Sequence, residues 1–457
     1  MAFNNTSVLS DIAHISIMTC EINKADTVWV GISSLLVMLM IPSVGLIYAG
    51  LVQHSSISST LGLCLTILSM TTVQWCLIGY SLVFGASQGG FIGDLKYLAL
   101  NSLDNFQNKC FNTDYDYQAC LNKKHYWESC GIPEILFFFF QSKFAGITSV
   151  IIIGSFSERM YLKYSLLFVF IWNILVYCPI GHWVWNADGF MSVWGVRDFA
   201  GGLVIHIATG FTAMVSSLYL GKRKHYSTMP EVTNFPFFIF GTLLLWFGWF
   251  GFNGGSSNAI DRIGIFAIIN TNVAASMSLI VWVLIDLIVY KKISSSGICM
   301  GVVCGLVAIT PAAGYIPINM SFFTGFVAGL ICWIVVFFKR KYKWFDDLEI
   351  FACHGIAGLI GAIICGFFAS KDVDPYLPYN GIAYVNEGES RIFLLLQFLG
   401  FVIIASYSSV MTFIILYIIN KIFVIKPKTE EEVYYDQINF FDENLAKLEM
   451  QKKEVVR

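Results

Sequence analysis

Charge is scarce in this sequence. Lys, Arg, Asp and Glu make up 13% of its 457 residues, about half the share of an ordinary soluble chain. Hydrophobic residues reach 56%, above the roughly 45–50% of soluble domains. That balance excludes a soluble enzyme of two or three domains. Basic excess is lacking too. With 28 Lys and Arg against 30 Asp and Glu, nothing suggests the clustered basic face of a nucleic-acid-binding protein. Only 10 prolines occur, and no low-complexity tract, so little of the chain is obliged to be disordered. The first 26 residues lack a basic stretch ahead of an apolar run, and a cleaved signal peptide is not expected. Paired Asn-Pro-Ala boxes, His-Glu-x-x-His and paired membrane aspartates are missing as well. Their absence argues against an aquaporin-like facilitator and against a metal-dependent intramembrane enzyme. No cofactor and no metal are expected.

What the chain has in abundance is long apolar runs. A membrane-crossing helix needs about 20 mostly apolar residues. Eleven segments qualify: 27–52, 60–84, 132–157, 162–184, 199–220, 235–253, 263–290, 297–314, 318–338, 349–369 and 392–423. A β-barrel would alternate polarity over stretches of about ten residues, and runs such as Ile350–Ser370 do not. The expected fold class is therefore an all-α membrane protein with eleven transmembrane helices. Its transmembrane domain covers 27–425, between an N-terminal segment, 1–26, and a C-terminal tail, 426–457. Lys and Arg collect in alternate short loops (Arg159, Lys163, Lys222, Arg223, Lys291, Lys292, Lys339 to Lys341) and after the last helix (Lys421, Lys426, Lys428). The intervening loops hold only Arg197, Arg262, Lys371 and Arg391. Positive charge stays inside, so the N-terminus is expected outside and the C-terminus in the cytosol. An external N-terminus makes Asn4 and Asn5, each opening an Asn-x-Ser/Thr sequon, possible glycosylation sites.

The 12 cysteines divide by depth. Eight lie in or beside apolar runs and read as small buried side chains. Cys20, Cys110, Cys120 and Cys130 fall on the expected outer side, the last three in the long polar loop 86–131. Four external cysteines can pair in three ways, and an extracellular face permits disulfides. A zinc site lacks any Cys-x-x-Cys pair or loop histidine beyond His125.

Polar residues inside a membrane are rare and usually functional. Two histidines qualify. His206 lies in the stretch Asp198-Phe-Ala-Gly-Gly-Leu-Val-Ile-His206-Ile-Ala-Thr-Gly210, and His354 lies in Glu349-Ile-Phe-Ala-Cys-His354-Gly-Ile-Ala-Gly358. Each has a glycine four residues on, on the same helix face, where another backbone can approach closely. They belong to helices five and ten. Helices one to five echoed by six to ten with reversed topology, plus a final helix, is the inverted pseudo-repeat of many transporters. In that 5+5 plan the two histidines occupy matching places and could meet near the midplane. A neutral imidazole offers one donor and one acceptor, and a pair can share a proton. Such a pair suits a small neutral amine or a proton, where a carboxylate would attract metal cations. A single membrane histidine reads equally well as a packing hydrogen bond; the repetition points to a pore.

Several ordered motifs resemble those of the ammonium transporters of the Amt/Mep/Rh superfamily, and more closely its Amt/Mep branch. They are Phe140-Gln-Ser-Lys-Phe-Ala145 with Ser157-Glu-Arg159, Asp198-Phe-Ala-Gly-Gly-x-x-x-His206, and Trp246-Phe-Gly-Trp-Phe-Gly-Phe-Asn-Gly-Gly-Ser256. Asn270-Thr-Asn272, Gly305-Leu-Val-Ala-Ile-Thr-Pro-Ala-Ala-Gly314 and His354-Gly355 complete the set. The resemblance covers all eleven runs. It implies a multi-pass plasma-membrane transporter, not an enzyme, whose substrate is ammonium or ammonia with methylammonium as analogue. It further implies a homotrimer with one pore per subunit. By the same resemblance His206 and His354 are the twin pore histidines, and Phe144 and Phe252 are stacked rings closing the outer mouth. Trp185 and Ser256, with the Phe144 face, match the outer recruitment site. An ammonium ion over an aromatic face gains about 0.5–2 kcal/mol, and a hydroxyl oxygen accepts one of its N–H bonds. Without the motif, Trp185 would read as an interfacial anchor. Asp198 is implied to be structural, capping helix five, and Asn253, Thr310 and Gln141 to bond between helices. An Rh-like ammonia gas channel and an ammonium sensor with little transport are the alternatives.

Four departures from the family pattern stand out. Lys143 precedes Phe144 where a small residue is usual; it either reaches the surface by its long stem or adds positive charge near the mouth. Glu349 replaces an aspartate. The loop 86–131 is long and cysteine-rich, and the tail, with Glu430-Glu-Glu432 and Tyr434-Tyr-Asp436, resembles the regulatory C-terminal region only loosely.

Overall fold

The computed structural model describes residues 22–101, 103, 131–223, 232–345, 348–385 and 388–439. The loop cysteines Cys110, Cys120 and Cys130, together with Cys20, Asn4 and Asn5, lie outside the described residues.

Eleven helices are long and apolar enough to cross a membrane: Lys24–Ala49, His54–Phe84, Glu134–Ser155, Leu162–Trp194, Gly202–Leu220, Phe235–Ser257, Arg262–Tyr290, Ser295–Ala312, Ile318–Tyr342, Phe351–Phe368 and Gly388–Ile422. They are called spans one to eleven below. Helices form because in lipid every backbone N–H and C=O must be satisfied within its own segment. The orphan groups at the ends are met by side chains. The Asn23 carboxamide accepts from the N–H groups of Ala25 and Asp26 to start span one. Asn234, Asp261 and Ser294 do the same for spans six, seven and eight. Asp286, buried within span seven, accepts from the Ser294 N–H and hydroxyl and from the Trp333 indole. One carboxylate thereby ties spans seven, eight and nine together at one end.

Two pairs of equivalent helices from the two halves lie against each other. Span one packs extensively on span six, and spans five and ten are in contact along their histidine-bearing segments. Spans five and ten also share an irregularity. Gly202–Ile207 and Phe351–Ile356 are π-helical, and each contains its histidine. A π-turn inserts one residue into the helical ladder and is frequent at functional sites. Span five begins at Gly202 instead of at 199, because residues 198–201 form a turn fixed by a carboxylate described below.

At the Lys- and Arg-rich end the tail folds back. Glu430–Asn439 is a helix held by the Tyr161 hydroxyl on Glu432 (2.9 Å), the Leu162 N–H on Asp436 (2.9 Å) and the Ser59 hydroxyl on Gln437. Beside it, Glu158 sits in the left-handed region (φ 61°). Its carboxylate accepts from the Gln53 N–H and the Ser56 hydroxyl and pairs with Arg223 at 3.5 Å.

Candidate functional site

His206 and His354 meet. Their Nδ1 atoms are 3.1 Å apart and their ring centroids 5.1 Å apart. One nitrogen donates and the other accepts, so the pair shares a single proton along this contact. The His206 Nε2 is buried and has no hydrogen-bond partner among the described residues, leaving one nitrogen for a further ligand. The glycines make the meeting possible. A Cβ at Gly210 would lie 2.2 Å from the Gly355 nitrogen, and one at Gly358 would lie 3.0 Å from the Gly202 oxygen. Each glycine thus admits the other span's backbone, as the four-residue spacing predicts.

On one side of the histidines stand two phenylalanines. Phe144 and Phe252 are stacked, with centroids 4.5 Å apart and planes at 18°, and both are fully buried. Phe252 is 6.0 Å from the His206 ring. Beyond the rings lies a cavity of about 20 Å³ lined by Phe144, Trp185, Ser256, Gln141, Phe199 and Asn258, among others. A water-sized molecule needs roughly 10–15 Å³ of such space, so the cavity takes one small hydride and little more. Trp185 and Phe144 meet nearly at right angles, with centroids 6.0 Å apart, and the Trp185 indole donates to the Asp198 carbonyl at 3.2 Å. The Ser256 hydroxyl donates to the Phe252 carbonyl at 2.8 Å, which leaves its oxygen lone pairs to accept.

Asp198 sits at the start of span five. Its two carboxylate oxygens accept from the N–H groups of Gly201, Gly202, Leu203 and Val204 at 2.7–3.0 Å. All four belong to the turn that opens span five. Burial pushes its carboxyl up to about 6, against the lowering pull of these four donors. Asn253 donates to Thr271, and Thr310 accepts from the Trp249 indole at 2.9 Å; both bonds run between helices. Gln141 does not follow that expectation. Its carbonyl oxygen is buried without a partner among the described residues and the residue lines the small cavity, so it is an acceptor available to a ligand.

Lys143 does not reach the surface. It is 4% exposed, and its ammonium lies 4.0 Å from the centre of the Phe139 ring. The stem ends in that aromatic contact, so the charge is held on the Phe139 ring, and Lys143 is not among the residues that line the small cavity. Glu349, in contrast, is well served: Lys339 lies 2.7 Å away and Arg340 donates at 2.9 Å. Burial would raise its carboxyl, but the two cations outweigh that and hold it below the usual carboxylate range.

Trp249 is a further residue of the site, and the sequence motif that contains it gives it no distinct role. Its ring stacks on His206, 5.3 Å away with planes at 17°, and touches Phe252 at 5.2 Å. Only its spacing of three from Phe252, which puts both on one helix face, hints at this. Past His354 a second cavity, of about 270 Å³, opens toward the basic end, lined by His354, Cys353, Tyr48, Arg223, Lys339 and Glu349, among others. The sequence of parts is continuous: small cavity, stacked rings, paired imidazoles, basic vestibule.

A profile of the Ammonium Transporter Family matches residues 28–444. A putative ammonium transporter of Methanothermobacter thermautotrophicus is 35% identical over 428 residues, covering 92% of this chain and 98% of the relative. The crystal structure of Candida albicans Mep2 is similar at a TM-score of 0.77 and 34% identity, covering 88% of this chain and 85% of that one. A solved structure named a sensor Amt protein reaches a TM-score of 0.76 at 26% identity, covering 90% of this chain and 96% of its own. A profile match across all eleven spans, and a relative matched nearly end to end, establish that this chain belongs to the ammonium transporter family.

Proposed function

We propose that the chain moves ammonium across the plasma membrane by parting it from a proton at the stacked rings and passing ammonia along the paired histidines. Ammonium first occupies the small outer cavity. There it lies against the Trp185 and Phe144 faces and donates to the Ser256 hydroxyl and the Gln141 carbonyl. Cation–π contact supplies about 0.5–2 kcal/mol, and each hydrogen bond to a neutral acceptor about 0.5–1.5 kcal/mol. The rings of Phe144 and Phe252, 4.5 Å apart, leave no room for a hydrated ion. An unhydrated charge in an apolar lumen would cost many kcal/mol, so the proton leaves as the rings part. Ammonia then accepts and donates at the imidazoles, and the shared proton of His206 and His354 offers a route for the one left behind. Sodium and potassium have no proton to shed and are refused. Three such chains in a homotrimer, each with its own pore and its N-terminus outside, complete the proposal.

The observation that carries this reading is the 3.1 Å contact between His206 and His354, in line between the stacked rings and the basic vestibule. The test is an ammonium-evoked current in proteoliposomes holding the full chain, with potassium compared. Wild type should carry ammonium current and none with potassium. His206→Ala and His354→Ala should each abolish the current or let potassium through, and a double variant with normal flux and selectivity would overturn the proton route. The similarity to a sensor Amt protein favours one second reading, a sensor that binds without conducting. Specific ammonium binding with no current and no ammonia flux would establish it. An ammonia gas channel would instead show flux without charge movement.

A further inference from the structure

Span ten carries a second chemical feature one residue before its histidine. The Cys304 thiol of span eight donates to the Cys353 sulfur at 3.6 Å, and the Cys332 thiol of span nine donates to the adjoining Ala352 carbonyl at 3.4 Å. Cys304 is wholly buried, but Cys353 is 5% exposed and lines the basic vestibule. The charged lining of that vestibule is Arg223, Lys339, Arg340 and Lys343 against Glu349 alone. Cationic neighbours favour the thiolate that attacks an oxidant, and Cys353, though buried, lines the cavity through which an oxidant reaches it. Neither the Cys304 nor the Cys353 thiol is given a part in the conduction steps proposed above.

We propose that Cys353 and Cys304 form an oxidisable pair whose disulfide, made by hydrogen peroxide entering the vestibule, halts conduction by displacing His354. The inference rests on the reading of the paired histidines as the conduction path. The chemistry has two steps. The Cys353 sulfur attacks one peroxide oxygen, the O–O bond breaks, and the products are a sulfenic acid and one water. The Cys304 sulfur then attacks the Cys353 sulfur, the S–S bond forms and the S–O bond breaks, and the hydroxyl leaves with the Cys304 proton as a second water. Two thiols have lost two electrons and the peroxide has gained them. A cytosolic vestibule is normally reducing, so the reduced pair is the resting state and the disulfide a reversible response.

The geometry supplies the consequence. A disulfide draws its sulfurs to about 2.05 Å, so the present 3.6 Å separation must close by roughly 1.5 Å. The π-helical segment Phe351–Ile356 is the less regular partner and the one to move. His354 is the next residue, and its 3.1 Å contact with His206 does not survive a shift of about 1 Å as a hydrogen bond. Misplacement on that scale commonly costs on the order of 100-fold in a positioned proton-transfer step.

The experiment uses the full chain in proteoliposomes with the vestibule side exposed to hydrogen peroxide. Current and peptide masses are read before treatment, after it, and after dithiothreitol. The expected result is a peptide pair joined through Cys304 and Cys353, loss of at least about 90% of the ammonium current, and recovery of both by dithiothreitol. Cys304→Ser and Cys353→Ser should each conduct and keep their current under peroxide, while Cys332→Ser should remain sensitive. Absence of the joined peptide, a joined peptide with full current, or undiminished peroxide sensitivity in Cys304→Ser would each overturn the proposal. Because the cross-link is read by mass, a protein that carries no current even when reduced refutes the transport reading separately.

Discussion

At the scale of single residues, charge placement near the mouth decides how well a cation is held. Lys143 lies one position before Phe144 with its ammonium on the Phe139 ring, and no carboxylate pairs with it among the described residues. A unit charge on the order of 10 Å from a bound ammonium, at an effective dielectric constant of about 20, opposes it by roughly 1–2 kcal/mol. Lys143→Met keeps the length and removes the charge. It should lower the half-saturating ammonium concentration about 5- to 30-fold, read from the concentration dependence of the current. An unchanged value would mean that the side chain exerts no field at the mouth. Asp198 works in the opposite sense. Its folded value of about 6 stands above the ordinary carboxyl range because burial outweighs the four N–H donors. With the folded value raised, proton uptake is favoured by the fold, so acidification does not destabilise the turn through this group. What is lost as pH falls through about 6 is the negative charge beside Trp185. Ammonium remains fully protonated over that range. The current should therefore fall as external pH drops from 7 to 5, and the inflection near 6 should vanish in Asp198→Asn.

At the scale of the helices, two glycines set the distance between the histidines. A Cβ at Gly210 would sit 2.2 Å from the Gly355 nitrogen and 2.3 Å from its Cα, against backbone that no rotamer change can move. Gly210→Ala must part spans five and ten by about 1 Å. It should lower stability by roughly 1–3 kcal/mol and reduce conduction on the order of 100-fold. Gly31→Ala, where an added Cβ meets nothing within 4 Å, is the control and should change neither. Thermal melting and current amplitude decide the matter together. These glycines were legible in the sequence because same-face spacing is a property of one helix. So were the eleven spans, which follow from apolar length, and the cap at Asp198. The stacking of Trp249 on His206, the burial of Lys143 and the approach of Cys304 to Cys353 were not legible. Each depends on which face of one span meets which face of another, and along all-apolar helices periodicity says little about facing. The open carbonyl of Gln141 is of the same kind: a motif gives its position, and only packing leaves it unpaired.

At the scale of the whole molecule, the chain's own tail is docked at the basic end. The helix Glu430–Asn439 is docked on span two and on the start of span four. The Tyr161 hydroxyl and the Leu162 N–H mark the start of span four, and Ser59 belongs to span two. Glu432 is held below the usual carboxylate range by the Lys428 N–H and the Tyr161 hydroxyl, whereas burial raises Asp436. The docking partners lie near Glu158, whose left-handed backbone positions the carboxylate that joins Gln53, Ser56 and Arg223. Arg223 also lines the vestibule, so the tail, the Glu158 turn and the pore exit form one connected layer. Ending the chain after Lys428 keeps the Ile425 carbonyl on the Tyr161 N–H but removes the three side-chain contacts. Contacts of this kind at an exposed surface add little to stability. The truncated protein should therefore fold, melt a few degrees lower and retain its preference for ammonium over potassium, because the paired histidines and stacked rings take no bond from the tail. Loss of selectivity on truncation would show that the layer at the basic end reaches the histidines through span ten, and the division of labour between pore and tail would have to be redrawn.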